Sequence, residues 1–186
     1  MSQPKSPRDS QTTITELMIP SYANFGGKIH GGILLSMMDK VAYACATKHC
    51  GNYCVTVSVD NVEFRQPVEV GDLVSMDARV NYVGNSSLVI GIRVISENVK
   101  DGVSKHTNTS YFTMVAKNDE GVPSLVPELI LENSLDVKRF MEAIFRKYMR
   151  TNLEDNMKSI RDNFILEKEI PKLENERCIV NLKENH

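Results

Sequence analysis

Residues 24–49 read NFGGKIHGGILLSMMDKVAYACATKH, a glycine-rich loop followed by a long apolar segment. From residue 32 to about residue 49, the spacing of the apolar side chains predicts a helix that is apolar on nearly every face. Such a helix is stable only when other parts of the chain cover it on all sides. We therefore expect the remaining core to wrap around this one helix.

Period-2 patterns on both sides of the helix predict the strands that cover it. Residues 12–19 form a first strand that ends before Pro20, and a second strand begins near Val55 and continues to residues 66–67. Turn signals at residues 71–72, 84–85, 100–102 and 119–121 delimit three further strands. This order predicts an α+β hotdog fold, in which one antiparallel sheet curls around a central helix. A single sheet leaves apolar surface uncovered, so we expect at least a dimer.

By composition, the chain divides into three regions. Residues 1–10 are polar and contain two prolines, which predicts a disordered N-terminus. Residues 11–127 carry the helix and strand patterns and form the folded core. In residues 128–186, apolar side chains at three- and four-residue spacing predict an added C-terminal helix from residue 134 to about residue 164. We expect this extension to dock on its own or a sister subunit, because its mixed charges disfavour a membrane-surface helix.

Charge and composition exclude several classes of function. The net charge of −2 and the pI near 6.1 argue against a nucleic-acid binder. No apolar run approaches the roughly 20 residues that span a bilayer, and the polar N-terminus lacks a signal-peptide core, so a cytoplasmic protein is expected. The cysteines do not form the two close pairs of a structural zinc site, so we expect reduced thiols and no metal. They are Cys45, Cys50, Cys54 and Cys178.

Asp39 is the residue of the helix that points most clearly to chemistry. Its neighbours three and four positions away are Leu35, Ser36, Ala42 and Tyr43, which predicts a face that is not solvated. Burial would raise the pKa of such a carboxyl towards the range useful for a general base. The pattern is equally compatible with an Asp that is hydrated at the mouth of the sheet or paired with Lys40.

The loop before the helix offers a place for a carbonyl oxygen. Its glycines allow the backbone to approach a ligand closely, and the first turn of the helix has free N–H groups at the positive end of the helix dipole. We therefore expect an oxyanion pocket near Gly31 and Gly32. Asn24 is a donor and acceptor just upstream. His30 is either a general base or a residue that holds the loop through its backbone.

Four blocks of sequence resemble one known family. Residues 20–39, P-S-Y-A-N-F-G-G-K-I-H-G-G-I-L-L-S-M-M-D, are similar to the start of acyl-CoA thioesterases of the hotdog superfamily. The likeness continues through V-T-V-S-V-D-N-V-E-F-R-Q-P-V-E-V-G-D, G-N-S-S-L and K-H-T-N-T-S-Y-F-T-M-V-A. It covers roughly residues 11–127, and the C-terminal extension lies outside it.

The resemblance implies an activity and a set of site residues. Acyl-CoA would be hydrolysed to free fatty acid and coenzyme A without a cofactor, with Asp39 as general base or nucleophile and Asn24 positioning water or carbonyl. The two residues would come from different subunits of a dimer, within a hexamer built as a trimer of dimers. Coenzyme A would lie along strand edges and the 84–87 turn, residues 56–58 would follow its pantetheine arm through their backbone, and a set of cations would meet its phosphates. These residues are Thr56, Val57, Ser58, Gly84, Asn85, Ser86, Ser87, Arg93, Lys105 and His106.

Two other functions remain open at this point. The first is a hotdog hydratase or dehydratase acting on acyl thioesters. Such enzymes resemble one another in carrying a His close after an Asp on the loop and helix, and no such His is found near Asp39. A non-catalytic acyl-CoA sensor would bind the ligand without turnover. As part of a transcription regulator it would need a DNA-binding segment, and ten polar N-terminal residues are too short for one.

Overall fold

The computed structural model describes residues 3–182, which form five strands and four α-helices. In chain order these elements are α1 (Pro7–Ser10), β1 (Thr12–Leu17), α2 (Gly31–Cys50), β2 (Tyr53–Val59), β3 (Asp72–Val83), β4 (Ser87–Asn98), β5 (Ser104–Lys117), α3 (Ser134–Asp162) and α4 (Leu166–Glu169). Short 3-10 helices span Pro20–Tyr22 and Ile170–Leu173. The chain divides into two compact units, one up to Ile144 and the other from Phe145 onward.

The predicted hotdog fold is confirmed. All five strands pair antiparallel in the order β1-β3-β4-β5-β2, and one face of this sheet packs against α2. Alternate residues of β3, β4 and β5 point into the core between sheet and helix, where Met38, Val41 and Ala42 are completely buried. The two edge strands are β1 and β2, and β2 has no second neighbour within the described chain.

The central helix begins and ends at identifiable caps. His30 precedes the helix and its Nδ1 accepts the Gly32 N–H at 2.9 Å, which satisfies one of the free donors of the first turn. At the other end Gly51 adopts φ +73°, and its N–H donates to the Thr47 carbonyl. The predicted helix boundaries therefore hold to within one residue.

The prediction of a disordered N-terminus is wrong for residues 3–10. The Lys5 ammonium donates to the carbonyls of Lys48 and His49 at 3.2 and 2.8 Å, where a cation stabilises the negative end of the α2 dipole. The backbone of Lys5 also bonds to residues 128 and 130, and Ser6 caps α1. These partners lie more than 40 residues away, so the local composition contains no sign of them. Met1 and Ser2 lie outside the described residues.

The second strand is shorter than predicted. Regular pairing of β2 ends at Val59 rather than at residues 66–67. The chain nevertheless continues beside β5, since the Asp60 N–H donates to the Tyr111 carbonyl and the Arg65 N–H donates to the Thr107 carbonyl. The period-2 pattern correctly predicted that residues 60–65 run alongside the sheet, but it did not predict that their regular strand pairing ends at Val59.

The predicted C-terminal helix is confirmed, but its first turns belong to the core unit. Asp136 is buried and forms an ion pair with Arg79 of β3, and the rings of Phe140 and Tyr82 lie 4.9 Å apart. Both contacts are on the sheet face opposite α2. The division of the chain consequently falls after Ile144 and not after residue 127. None of the helices within residues 3–182 is long and apolar enough to cross a membrane.

Buried His49 predicts a loss of stability at mildly acidic pH. Its Nε2 lies 3.1 Å from the Pro127 carbonyl, and burial lowers its pKa below the ordinary 6.5. Below pH 6.5 the His49 imidazole is protonated in the unfolded chain but still neutral in the folded chain. The free energy of unfolding therefore falls as the pH drops towards the lowered pKa. Urea unfolding between pH 8 and about 5.5 measures this slope. His49→Gln, whose amide also reaches a carbonyl, is expected to flatten it; an unchanged slope contradicts the assignment.

Candidate active site

Asp39 lies on an exposed stripe of α2 that also contains Gly32, Ser36 and Tyr43. The expectation that this face is buried is wrong for the single chain, because the sheet curls over the other faces of α2 and stops at the edge strand β2. The carboxylate is nevertheless held in place, since the Thr56 hydroxyl donates to Asp39 Oδ1 at 2.6 Å. This bond joins the middle of α2 to β2 and leaves Oδ2 for other partners.

Two open grooves meet at Asp39. One, of about 550 Å³, is lined mainly by apolar side chains, among them Leu35, Val59, Val62, Phe64 and Phe112. The other, of about 310 Å³, lies between α2 and β2 and includes Tyr43, Tyr53, Val55 and Met114. Ligand sites commonly combine mostly apolar walls with a few placed polar groups. A carboxylate at the junction of two such grooves can contact a polar group in the middle of a largely apolar ligand.

A β-bulge lies directly beside this carboxylate. Thr56 pairs with Met114 and Ser58 with Thr113, so Val57 is the extra residue of β2. Bulges re-aim side chains and occur often next to active sites. The contribution of the Thr56 hydroxyl was missed in the sequence, where this residue was expected to act through its backbone. Periodicity does not report a contact between residues 17 positions apart. The only sign of this hydrogen bond in the sequence was therefore a hydroxyl-bearing residue in the strand that follows the helix.

Asn24 organises the glycine loop. Its side-chain oxygen accepts the N–H groups of Gly26 at 2.9 Å and Lys28 at 3.2 Å, and Gly27 between them adopts φ +77°. The Asn24 amide NH₂ has no acceptor within residues 3–182 and is exposed. The oxygen of Asn24 is therefore engaged within the loop, while its donor remains available to a ligand.

The two glycines at the start of α2 differ in whether their backbone N–H groups have an acceptor. The Gly32 N–H donates to His30 Nδ1, so His30 holds the loop and that donor is occupied. The Gly31 N–H finds no acceptor in the described part of the chain. The ring of Phe64 covers Gly31 so closely that an added Cβ would lie 3.2 Å from it. Of the two predicted oxyanion donors, Gly31 is the one that is free.

A single chain does not bring Asn24 and Asp39 together. Gly31 and Asp39 are eight residues apart in α2, or about 12 Å along its axis, and Asn24 lies further upstream in the loop. Neither groove at Asp39 includes Asn24. The described chain therefore presents the two halves of the predicted pair at separate places.

The residues predicted to contact coenzyme A are spread over the sheet. Ser87 and Val55 both pair with Val115, so the 84–87 turn lies about 10 Å from the start of β2, across β5. His106 is eight residues from Met114, the partner of Thr56, which places it about 27 Å further along β5. Lys105 adjoins His106, whose Nε2 lies 2.9 Å from Thr109 Oγ1. Arg93 lies on the opposite sheet face. One chain thus brings the turn, but not these cations, near Asp39.

Comparison with known proteins places this arrangement among related chains. The family model described as thioesterase superfamily matches residues 26–103. Protein VdlD of Helicobacter pylori is 45% identical over 73% of this chain and 77% of its own length. The cytosolic acyl coenzyme A thioester hydrolase of Mus musculus is 33% identical over 76% of this chain, which spans 38% of that longer protein.

Solved structures agree with these relatives. A hexameric acyl-CoA thioesterase in its apo form is 31% identical, with a TM-score of 0.79 over 82% of this chain and 98% of its own. The acyl-CoA hydrolase of Staphylococcus aureus, solved with butyryl coenzyme A and coenzyme A, is 29% identical, with a TM-score of 0.76 over 85% and 96% of the two chains. Alanine variants of that hydrolase have been solved at an Asn, an Asp and a Thr that are spaced 15 and 17 residues apart.

Proposed function

We infer the function of this chain from its family: it belongs to the thioesterase superfamily and is a hotdog-fold acyl-CoA thioester hydrolase. The observation that carries the residue assignment is the hydrogen bond from Thr56 to Asp39 at the junction of two grooves. Asn24, Asp39 and Thr56 have the same spacing as the three residues changed to alanine in the Staphylococcus aureus hydrolase, which supports a common role.

Asp39 drives the hydrolysis in this proposal. With Oδ1 bound by Thr56, Oδ2 takes a proton from a water that attacks the thioester carbonyl carbon. The tetrahedral intermediate then loses the coenzyme A thiolate, which is protonated, and a carboxylic acid is released. The alternative is direct attack by Oδ2 on the same carbon, giving an acyl-aspartyl anhydride that water hydrolyses. Both routes use the same carboxylate, and neither requires a cofactor.

The carbonyl oxygen is stabilised by donors of the glycine loop. The free Gly31 N–H stands at the positive end of α2, where negative charge is stabilised. The free amide NH₂ of Asn24 either donates to the same oxygen or orients the attacking water. The Gly32 N–H, already bound by His30, supports the shape of the loop rather than the oxyanion.

We propose that each active site is shared between two subunits. The surface around β2 and Asp39 exposes Tyr43, Tyr53, Val57 and Val59, and Phe25 beside Asn24 is fully exposed. An open edge strand with apolar neighbours is a template for pairing with another copy. Pairing there covers the Asp39 stripe and offers Asn24 of one subunit to Asp39 of the other. The hexameric structural neighbour supports a trimer of such dimers.

Coenzyme A then follows the edge of β2 towards the 84–87 turn. The backbone at the Val57 bulge is not paired in the ladder, and Thr56, Val57 and Ser58 line the path of the pantetheine arm. Gly84, Asn85, Ser86 and Ser87 supply turn N–H and hydroxyl groups for its polar end. Lys105 and His106 serve the phosphates when another subunit presents them. We also propose a cytoplasmic location, in line with the cytosolic mouse relative.

Release of free thiol from a series of acyl-CoAs tests the function. Steady turnover of at least one chain length is expected, with equal amounts of coenzyme A and carboxylic acid formed. The only observation that favours the competing sensor function is the pair of open apolar grooves, because such grooves suit a protein that only binds acyl-CoA as well as one that hydrolyses it. Tight binding of acyl-CoA without thiol release establishes the sensor and overturns the hydrolase.

Thr56 provides a matched test of how Asp39 is held. Thr56→Val keeps the shape but removes the hydroxyl, and we expect kcat to fall about 10- to 100-fold, since a hydrogen bond to a charged group is worth about 1.5–3 kcal/mol. Thr56→Ser retains the hydroxyl and should remain within about threefold of the parent. Initial rates at saturating acyl-CoA decide the matter. Equal kcat values for the Val variant and the parent rule out a positioning role.

A further inference from the structure

Two cysteine thiols are in contact where α2 ends and β2 begins. Cys50 is the last residue of α2 and Cys54 is the second residue of β2, so three residues separate them across the turn. The two thiols are hydrogen-bonded to each other, and Cys54 Sγ also lies 3.6 Å from the Asn52 carbonyl oxygen. Both cysteines carry free thiols, and the proposed hydrolysis makes no use of either.

The surroundings of Cys54 favour its thiolate form. The hydrogen bond between the two thiols lowers the pKa of Cys54, against the effect of burial, and raises the pKa of Cys50. The Thr47 hydroxyl also lowers the pKa of Cys54. Its oxygen is buried and makes no hydrogen bond of normal geometry within residues 3–182, so a thiolate at Cys54 offers it an acceptor. Because the thiolate is the nucleophilic form of cysteine, Cys54 is the member of the pair that attacks first.

A small reagent reaches Cys54 through the groove of about 310 Å³ between α2 and β2. Cys54 lines this groove together with Asp39 and Thr56, although little of its own surface is exposed. Cys50, its partner, is partly exposed. Cys45 in the same helix is completely buried, which raises the pKa of its thiol to about 12. The groove therefore leads to a pair of thiols, of which one is activated and the other is placed to react with it.

We propose that Cys50 and Cys54 form a modification site, at which low-molecular-weight disulfides introduce an intramolecular disulfide. The Cys54 thiolate attacks one sulfur of the reagent RSSR, which gives a mixed disulfide and expels RS⁻; this thiolate takes up the proton that Cys54 lost. Cys50 then loses its proton and attacks Cys54 Sγ, and the second RS⁻ leaves with that proton. Two cysteine thiols are thereby oxidised to one disulfide, and one RSSR is reduced to two RSH.

The new disulfide connects the same two elements as the hydrogen bond that holds Asp39. Thr56, two residues after Cys54 in β2, donates to Asp39 of α2 at 2.6 Å, and two strand residues span about 7 Å. Bond formation brings the two sulfurs to about 2.0 Å, closer than thiols in contact, and so moves the start of β2 relative to α2. A displacement of about 1 Å at a catalytic group costs up to about 100-fold in rate. Given the proposed function, on which this effect rests, oxidation is expected to lower kcat.

Oxidised glutathione is the probe, and the mass of one peptide reports the disulfide. The full chain is incubated with the probe, its free thiols are blocked, and it is cut with trypsin. Residues 49–65 form one tryptic peptide that contains both cysteines. This peptide should lose two hydrogen atoms and carry no blocking group, and treatment with dithiothreitol before blocking should return two blocked thiols. A peptide that keeps two blocked thiols after oxidation, or that carries glutathione, overturns the proposal.

Hydrolysis is followed in the same samples by the loss of thioester absorbance, because thiol reagents that are themselves disulfides would oxidise the pair. The oxidised chain should show a kcat at least tenfold lower than the reduced chain, and dithiothreitol should restore the rate. A smaller fall in a chain that carries the disulfide overturns the effect on hydrolysis. If the reduced chain hydrolyses no acyl-CoA, the proposed function fails, while the peptide mass still decides whether the disulfide forms.

Two serine variants separate the steps. Cys50→Ser should keep the reduced rate within twofold and, with oxidised glutathione, should stop at the mixed disulfide on Cys54; absence of that adduct shows that Cys54 is not the attacking thiol and overturns the proposal. Circular dichroism shows whether the variant is folded, and Cys50→Ala replaces it if it is not. Cys178→Ser is the matched control, because it removes an exposed thiol of the second unit. It should be oxidised and inactivated like the parent.

Discussion

Replacement of Asp39 by asparagine is expected to lower kcat for acyl-CoA hydrolysis about 10³-fold or more, within the range set by loss of a catalytic base or nucleophile. Asparagine has the same shape and its oxygen still accepts the Thr56 hydroxyl, so local structure is retained. What it cannot do is take a proton from water or attack a carbonyl carbon. The loss should therefore appear in turnover and not in binding.

Two measurements separate those effects. Thiol release at saturating acyl-CoA reports turnover, and titration with a thioether analogue that cannot be hydrolysed reports affinity. Asp119→Asn is a suitable control because Asp119 is exposed in the turn after β5, and it should retain the parental rate. If Asp39→Asn keeps a rate within tenfold of the parent, Asp39 is neither base nor nucleophile.

The second large effect is recovery of activity by mixing two inactive variants. Asn24→Ala is expected to lower kcat about 10²-fold, as loss of one oxyanion donor does. In a dimer of one Asn24→Ala subunit and one Asp39→Asn subunit, one site carries both changes and the other carries neither. With two equivalent sites, purified mixed dimers should show about half the parental activity, and an equal random mixture about a quarter.

This result depends directly on sharing of the site. If Asn24 and Asp39 of the same subunit worked together, every site in the mixture would carry one defect and no activity would return. Different affinity tags on the two variants allow co-expressed mixed dimers to be isolated in two steps. Asp39→Asn co-expressed with the parental chain is the control for subunit mixing. Mixed dimers that are no more active than the separate variants contradict the shared site.

The sequence was sufficient for the architecture because the relevant signals are local. The apolar stretch from residue 32 and the alternating strands report which faces are buried through spacings of two to four residues. Turn residues such as Gly71 and Gly121 adopt positive φ at the predicted strand ends. The four sequence blocks correctly indicated the family, and they also singled out Asn24 and Asp39, whose roles remain to be tested.

The errors share one cause. Disorder was predicted for the N-terminus because its composition is polar, yet Lys5 is anchored at the end of α2. The face of α2 that carries Asp39 was expected not to be solvated, with a hydrated Asp39 at the mouth of the sheet as the alternative. In the single chain Asp39 is exposed, because coverage of that face depends on where the sheet ends. Each outcome was decided by residues far away in the chain.

By itself, the sequence determined that this chain wraps one sheet around one helix and that it belongs with acyl-CoA thioesterases. Only the tertiary structure decided that Thr56 holds Asp39, that His30 occupies the Gly32 N–H, and that Asn24 keeps a free amide. The periodicity of a sequence reports only whether each side chain faces water or the core. A hydrogen bond between distant residues depends on distance and angle within a few tenths of an ångström, and these are set by how the whole sheet packs on α2.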